Sequence, residues 1–399
     1  MFSKYQDKKS LRSLQKNPNW KLLKFSDVLR DETKNAKKIK KEEYLAQGSY
    51  PIIDQGKDYI AGFTNDGDGI YDKSPLIIFG DHTRILKYID FPIFIGADGV
   101  KLLKNVFSEE EVLTKYIYYY LRTVNIPDTG YNRHFKFLKE VVIPIPSINL
   151  QKRIVSVLDK AQELIDKRKA QIEALDQLTQ SVFLEMFGDP WINPKKWRVK
   201  KIKEVIKNKP INGFFAKNEQ YSDKGNAKII WISDFINKRS ANIHGLKKVV
   251  ATEEDIKKYQ VKYGDILFCR SSLNVDGIGK AAYVPEFPKD ENIIFECHII
   301  KITLSDEVLP EFFQVLSETK FFRNQIIKHS KTSTMTTISQ SGIMECSIIV
   351  PPVQIQNQFL QILKKIEYEK QKLQNSLSLL NDNFNSLMQR AFKGELFND

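Results

Sequence analysis

The chain has 399 residues, 42% hydrophobic and 28% charged, with 25 Phe and 16 Tyr; this composition excludes a disordered chain and leaves room for two domains of ordinary size. Its 62 basic residues against 49 acidic ones give a formal charge of +13, which favours a polyanionic partner because bound phosphates release their counterions. Cys269, Cys297 and Cys346 occur singly, matching neither a disulfide framework nor a paired metal-ligand spacing. No apolar run approaches the roughly 20 residues that cross a bilayer, and the polar opening MFSKYQDKKS lacks a signal peptide's apolar segment, so a cytoplasmic protein with no membrane partner is expected.

Residues 1–145 are expected to form a first mixed α/β domain. Asn17-Pro18 and Trp20 open it, ahead of a short amphipathic segment. Short apolar runs, SPLIIFG, FPIFIGAD and VVIPIP, broken by the Gly-, Asp- and Asn-rich GKDYIAGFTNDGDG, predict strands and loops. LTKYIYYYLRTV has the aromatic density of a packed helix or strand. Candidates for DNA contact are the basic loop residues His82 and Arg84 after IIFGD, Lys101 after GAD, and Arg133 and His134 in TGYNRHF. Arginine can bridge guanine's major-groove acceptors, and arginine and lysine both hold phosphate. The run KNAKKIKKEEY serves equally as a phosphate patch or a solvated face. DGDG resembles a calcium loop but lacks its full spacing and closing glutamate, so no metal is expected.

Residues 146–190 predict one long helix. Ile154, Leu158, Ala161, Ile165, Arg168, Ile172, Leu175, Thr179, Val182 and Met186 alternate steps of four and three, the spacing of a left-handed coiled coil. Proline stands before the stripe and Gly188 where it runs out, as helix ends require.

Residues 191–350 open on a second Asn-Pro mark with Trp197 and repeat the strand-and-loop style in NAKIIWISDFI, KYGDILFCRSS and CHIIKITL. A helix is predicted over LPEFFQVLSETKFFRNQII. GDILF predicts a turn into a buried strand, with Arg270, Ser271 and Ser272 in a loop leaving its end. These three, with Lys280 and with Lys328, Lys331, Thr332 and Ser333 of KHSKTST, complete the DNA-contact candidates. Residues 351–399 predict a second long helix, striped by Phe359, Leu363, Ile366, Lys370, Leu373, Leu377, Leu380, Phe384, Leu387 and Ala391 and ended by Gly394.

The two helical segments are copies of each other. PSINLQKRI at 146–154 matches PPVQIQNQF at 351–359, and the register then holds from Leu158 on Leu363 to Phe187 on Phe392. The second globular half is about 28 residues longer than the first. The expected fold is therefore α+β: two mixed α/β domains separated by two long helices, with a pseudo-two-fold internal repeat. The helices form an intramolecular antiparallel coiled coil of roughly 50–60 Å. Its seam candidates are Ile154, Leu158, Ile165, Ile172, Leu175 and Val182 on one helix, and Phe359, Leu363, Ile366, Leu373, Leu377, Leu380, Phe384 and Leu387 on the other. Polar faces such as KRKAQIEALDQ remain for partner subunits.

No nucleotide-binding GxxxxGK[ST] loop, methyl-donor loop, adenine-methyltransferase proline motif or nuclease constellation is present, and Gly277-Ile278-Gly279 is too short for a cofactor loop. The chain is therefore expected to be non-catalytic. The segments IPIPSINLQKRIVSVLDKAQELIDKRKAQIEALDQLTQSVFLEMFG and IIVPPVQIQNQFLQILKKIEYEKQKLQNSLSLLNDNFNSLMQRAFKGEL resemble the central and C-terminal conserved regions of specificity subunits of Type I restriction-modification systems. GSYPIIDQGKDYIAGF, FIGADG and YGDILFCRSS are similar to their target recognition domains.

The resemblance implies that each globular domain reads one half of a split, asymmetric double-stranded DNA target and that the helices set the spacer. It also implies that two methyltransferase subunits and restriction-translocation subunits supply adenine methylation and cleavage. S-adenosylmethionine, ATP and Mg would then reside on those partners and no cofactor on this chain. Alternatives left open are a specificity subunit of another modification or defence system, and a coiled-coil assembly protein without sequence-specific DNA recognition.

Overall fold

The computed structural model describes residues 6–15, 19–130 and 132–397; Asn17 and Pro18 of the first Asn-Pro mark lie outside the described residues. The chain divides into two compact units. Unit 1 combines the residues up to Ala170 with those from Gln374 onward, and unit 2 runs from Gln171 to Leu373. Each 40-residue helix, Ile148–Phe187 and Val353–Phe392, begins in one unit and ends in the other.

In unit 1 the run LIIFG forms the strand Leu76–Gly80, buried along its whole length. It pairs antiparallel with Leu86–Ile89 on one side and Val100–Asn105 on the other, and Leu29–Asp31 completes this four-stranded sheet. A second sheet is ordered Lys38–Ile39, Phe94–Gly96, Tyr50–Ile53, Gly62–Thr64, with parallel pairing on both sides of Phe94–Gly96. A strand that faces apolar layers on both sides needs a continuous apolar run rather than alternation, as LIIFG and FIG supply. The tyrosine-rich segment is a helix, Thr114–Leu121, with Tyr116, Tyr119 and Tyr120 in the core.

Unit 2 repeats the four-stranded sheet and carries a three-stranded version of the second. Asp265–Cys269 pairs antiparallel with Ala281–Tyr283 and with Ile299–Thr303, and Ala227–Ile230 pairs parallel with Ile293–Phe295 and antiparallel with Lys247–Val249. Two expectations are corrected here. The helix predicted over LPEFFQVLSETKFFRNQII is two helices, Pro310–Glu318 and Lys320–His329. Thr319 breaks it: its backbone is extended and its hydroxyl accepts from the Phe322 amide as an N-cap. Ser271–Ser272 is not a loop but a short strand, because the hairpin formed by Ser330–Thr332 and Thr336–Ile338 pairs with it to make a three-stranded sheet.

The repeated proline and glutamine marks explain how each long helix is fixed to its unit. Gln151 is fully buried. Its side-chain oxygen accepts from the Leu113 amide at 2.9 Å, and its nitrogen donates to the Pro146 carbonyl at 2.9 Å and the Glu111 carbonyl at 3.2 Å. Gln356 makes the same three bonds, to the Leu309 amide and to the Pro351 and Glu307 carbonyls, each at 2.8 Å. An amide with one acceptor and two donors is the side chain that satisfies all three backbone groups at a buried junction. Each glutamine thereby ties the first turn of a long helix to the segment that leads into a short helix, Thr114–Leu121 in unit 1 and Pro310–Glu318 in unit 2.

The long helices run antiparallel within each unit. In unit 1 the beginning of the first packs on the end of the second: Ile154, Leu158 and Ile165 share a core with Phe384, Met388, Ala391 and Phe392, with Leu377, Leu380 and Leu387 at its margin. In unit 2 the end of the first packs on the beginning of the second, through Phe183, Phe187, Phe359, Leu360 and Leu363, with Val182 at the margin. Phe183 and Phe187 lie outside the expected stripe, yet they are fully buried, Phe183 stacking on Phe312 of the short helix and Phe187 meeting the same ring edge-on. Ile366 is buried, whereas Ile172, Leu175 and Leu373 are only half-buried. Both helices end on a left-handed glycine, Gly188 (φ 77°) and Gly394 (φ 74°). At Gly188 a Cβ would stand 2.5 Å from the Pro194 ring.

Candidate nucleic-acid interface

The basic candidates of unit 1 come from separate segments that the fold gathers around Asp81; Lys101, expected in a loop, lies instead in the strand Val100–Asn105, opposite Phe79. Asp81 itself is buried; its amide donates to the Gly99 carbonyl at 2.7 Å, and its carboxylate accepts from the Phe135 amide at 2.7 Å. Its carbonyl accepts from the amide of His134 and is 2.9 Å from that residue's Nδ1. One aspartate thus ties the loop after the central strand to the GAD loop and the TGYNRHF loop. His134 is fully buried, with Nε2 3.3 Å from the Thr129 hydroxyl, so it holds these loops in place and presents no exposed edge.

Around this hub the other candidates differ in freedom. Arg84, in a left-handed backbone conformation (φ 63°), pairs with Asp128 at 2.7 Å. The Gly130 amide and the Arg84 guanidinium hold the Asp128 carboxyl below the usual carboxylate range. Lys101 pairs with Asp31 at 3.4 Å and stands 5.1 Å from the Phe135 ring centre. Burial works to raise the Asp31 pKa, but the Thr33 hydrogen bonds and the Lys101 charge outweigh it and leave the group below its ordinary value. His82 is half-buried, its amide donating to Gln55 at 3.2 Å. Arg133 is exposed and makes no ion pair among the described residues. Lys136 and Lys139, which motif reading passed over, are also exposed, and Lys139 lies 4.8 Å from the Phe135 ring.

In unit 2 the structure brings four of the candidates, Ser271, Ser272, Lys331 and Thr332, onto one small sheet. Ser271 lies opposite Thr337 and Ser272 opposite Thr336, while Lys331 and Thr332 pair with the same strand from its other side. Lys331, Thr332 and Ser333 are exposed, as is Lys328 on the preceding helix. Arg270 and Lys280 are less free. Arg270 turns back to donate to the Cys297 carbonyl at 3.3 Å, and the Lys280 ammonium donates to Asn237. Cys269, at the end of the buried strand, has its thiol pKa pushed up to about 11, chiefly by burial. Glu296, Cys297 and His298 place three potential metal-ligating atoms within 4.8 Å of one another, and the Glu296 carboxylate accepts from the His298 amide at 2.8 Å. That bond closes the turn between two strands.

The remaining charge-bearing segments have internal partners. Lys37 of the Lys-rich run pairs with Asp66 at 2.9 Å and Asp68 at 3.5 Å, so the DGDG acids neutralise a lysine. In unit 2 Arg239, unremarked in the sequence, is held by Glu318 and Glu367 and donates to Thr179, one of the polar breaks in the helix stripe. Lys370, another break, pairs with Asp176 at 2.5 Å. Among the described residues no helix is long and apolar enough to cross a membrane.

Comparison with known proteins agrees with this architecture. The family model described as Type I restriction modification DNA specificity domain matches twice, over residues 17–175 and 194–378. The Type I restriction enzyme EcoKI specificity subunit of Escherichia coli (strain K12) is 25% identical over 272 residues, 64% of this chain and 57% of that one. The chain thus spans little more than half the length of that relative. The MjaIX specificity subunit of Methanocaldococcus jannaschii is 24% identical over 327 residues, 73% of this chain and 71% of its own length. A solved structure described under complex assembly and conformational transition of the type I R-M system shares the fold, with a TM-score of 0.52 at 14% identity, covering 95% of this chain and 99% of that one. With two copies of the family domain spanning most of its length, the chain belongs to the Type I restriction-modification DNA specificity family.

Proposed function

We propose that this chain is a non-catalytic DNA-binding subunit that reads a two-part, asymmetric target and directs adenine methylation and restriction by partner subunits. The carrying observation is that one scaffold is built twice, with the same glutamine junction in each copy, while the loops at corresponding strand ends differ: Asp81–Arg84 in unit 1, and the three-stranded sheet beyond Cys269 in unit 2. Shared framework with unlike loops suits two different half-sites. The partners would be two methyltransferase subunits and restriction-translocation subunits, carrying S-adenosylmethionine, ATP and Mg. The 40-residue helices, about 60 Å each, are commensurate with about 18 base pairs of DNA at 3.4 Å each.

Co-expression with a cognate adenine methyltransferase, followed by genome-wide mapping of methylated adenines, tests the role. A split motif that disappears on deleting this chain is expected. An unchanged methylation pattern after deletion would sink it. In the same experiment, removing one heptad from matched positions of both helices shortens the ruler by about 10 Å and should shorten the spacer by about three base pairs.

A further inference from the structure

The most exposed large apolar side chain among the described residues is Leu273, at 84% exposure. It follows directly on the strand Ser271–Ser272, whose register sets Ser271 opposite Thr337 and Ser272 opposite Thr336. Continued one step, that register brings Leu273 opposite Met335, which is 37% exposed at the turn of the neighbouring hairpin. Side chains alternate between the faces of a strand, so Lys331, Ser333, Met335, Thr337, Ser271 and Leu273 fall on one face. None of the six is buried. The result is a polar ribbon carrying one cation, Lys331, with an apolar pair at its tip.

The tip is held firmly. The Asn274 amide donates to the Ser272 hydroxyl at 3.2 Å and the Asp276 amide to the Asn274 side chain at 3.0 Å. Arg323 then donates to the Asp276 carbonyl at 3.2 Å, fastening the loop to the helix Lys320–His329. At Gly277 a Cβ would stand 2.5 Å from the Ser272 hydroxyl oxygen. A leucine kept in water on a braced loop, on the same face as Lys331, whose ammonium suits a phosphate, points to an apolar contact made within a polyanionic partner. A β-ribbon fits the major groove of DNA, where the one apolar group on the base edges is the thymine 5-methyl.

Resting on the DNA-reading role proposed above, we infer that Leu273 and Met335 form a thymine-methyl contact, so that unit 2 reads an A·T pair through burial of that methyl group. The corresponding loop of unit 1, Asp81–Arg84, carries no apolar residue, and the described residues of that unit form no third sheet there.

The test uses the full chain in complex with the methyltransferase, and duplexes of the mapped target in which each thymine is replaced in turn by deoxyuridine. At one thymine of one half-site the wild type should lose about fourfold in affinity, the burial of a single methyl group. Leu273→Ala should bind the thymine duplex about fourfold more weakly and no longer distinguish thymine from deoxyuridine there. Met335→Ala should reduce the same discrimination. Indifference of the wild type to every replacement, or discrimination kept in the Leu273→Ala, Met335→Ala double variant, overturns the contact. Absence of any sequence-selective binding overturns the DNA-reading role itself.

Discussion

Beside the short helix of each unit the chain solves the same problem in two ways. In unit 2 Arg239 reaches from the loop after Ile232–Phe235 and meets Glu318 of the short helix and Glu367 of the second long helix, while the Tyr283 amide donates to its backbone carbonyl at 3.0 Å. Burial alone would lower the Arg239 pKa, but the two carboxylates outweigh it and raise it. In unit 1 the corresponding place is an open cleft of about 810 Å³ lined by Tyr59, Tyr88, Tyr118, Tyr119, Lys115 and Arg122 against Asp159 and Gln162 of the first long helix. Tyr59 is about half exposed and is attached through its hydroxyl to the Tyr88 carbonyl. Burial and the Asp159 carboxylate push the Tyr119 phenol above its ordinary range. One unit is therefore clamped by the ion pairs of Arg239, and the other keeps a cleft in which Arg122 lies against aromatic rings, its guanidinium 5.0 Å from the Phe384 ring. The framework is shared between the units, whereas the clamping beside the helices is local and can diverge.

If the glutamine junctions are the shared part, breaking either should hurt equally. Gln151→Leu and Gln356→Leu each leave buried backbone groups unsatisfied and should each cost about 2–4 kcal/mol by denaturant unfolding. A cost confined to one of them would show that the repeat is equivalent in sequence but not in energetics.

The clamp should be unequal. Arg239→Ala should cost about 1–3 kcal/mol, discounted because its carboxylate partners are partly solvated, and hydrogen exchange should report the loss in unit 2. Tyr59→Ala, at the matching place in unit 1, should cost less than about 1 kcal/mol. Equal losses would remove the distinction drawn here.

The smallest effect concerns acid. Hydrogen bonds from Lys201 and Lys203 hold the Glu345 carboxyl at about 2. Because the folded value lies below the ordinary one of 4.5, its contribution is present above pH 4.5 and is lost as pH falls toward 2. Glu345→Gln should lose that small contribution near neutrality and so flatten the acid limb slightly; a steeper limb in the variant would contradict the assignment.

Much of this molecule was legible in the residues. The repeated P-x-x-x-x-Q mark, the four-three stripe and the closing glycines settle two matched helices, because helix periodicity and end chemistry are local properties. The antiparallel pairing followed from having two equal stripes in one chain. The site was legible as a set of loops but not as an arrangement. Motif reading treated His134 as a candidate contact because a histidine in a basic loop has no local mark of burial; only the approach of Asp81 from about 50 residues earlier makes it a buried strut. Arg239 and Leu273 went unremarked for the opposite reasons, one a surface-type residue taken inward, the other a core-type residue left outside.

The sequence by itself determined the two long helices, the buried apolar strands, and that the chain contains one design twice, since each rests on short-range pattern and on its repetition. Tertiary structure alone decided which charges are neutralised internally, that Thr319 divides a helix, and that Ser271 and Ser272 join a three-stranded sheet beneath an exposed leucine. Those outcomes depend on partners far away along the chain, whose meeting is set by packing and burial and not by any pattern of neighbours.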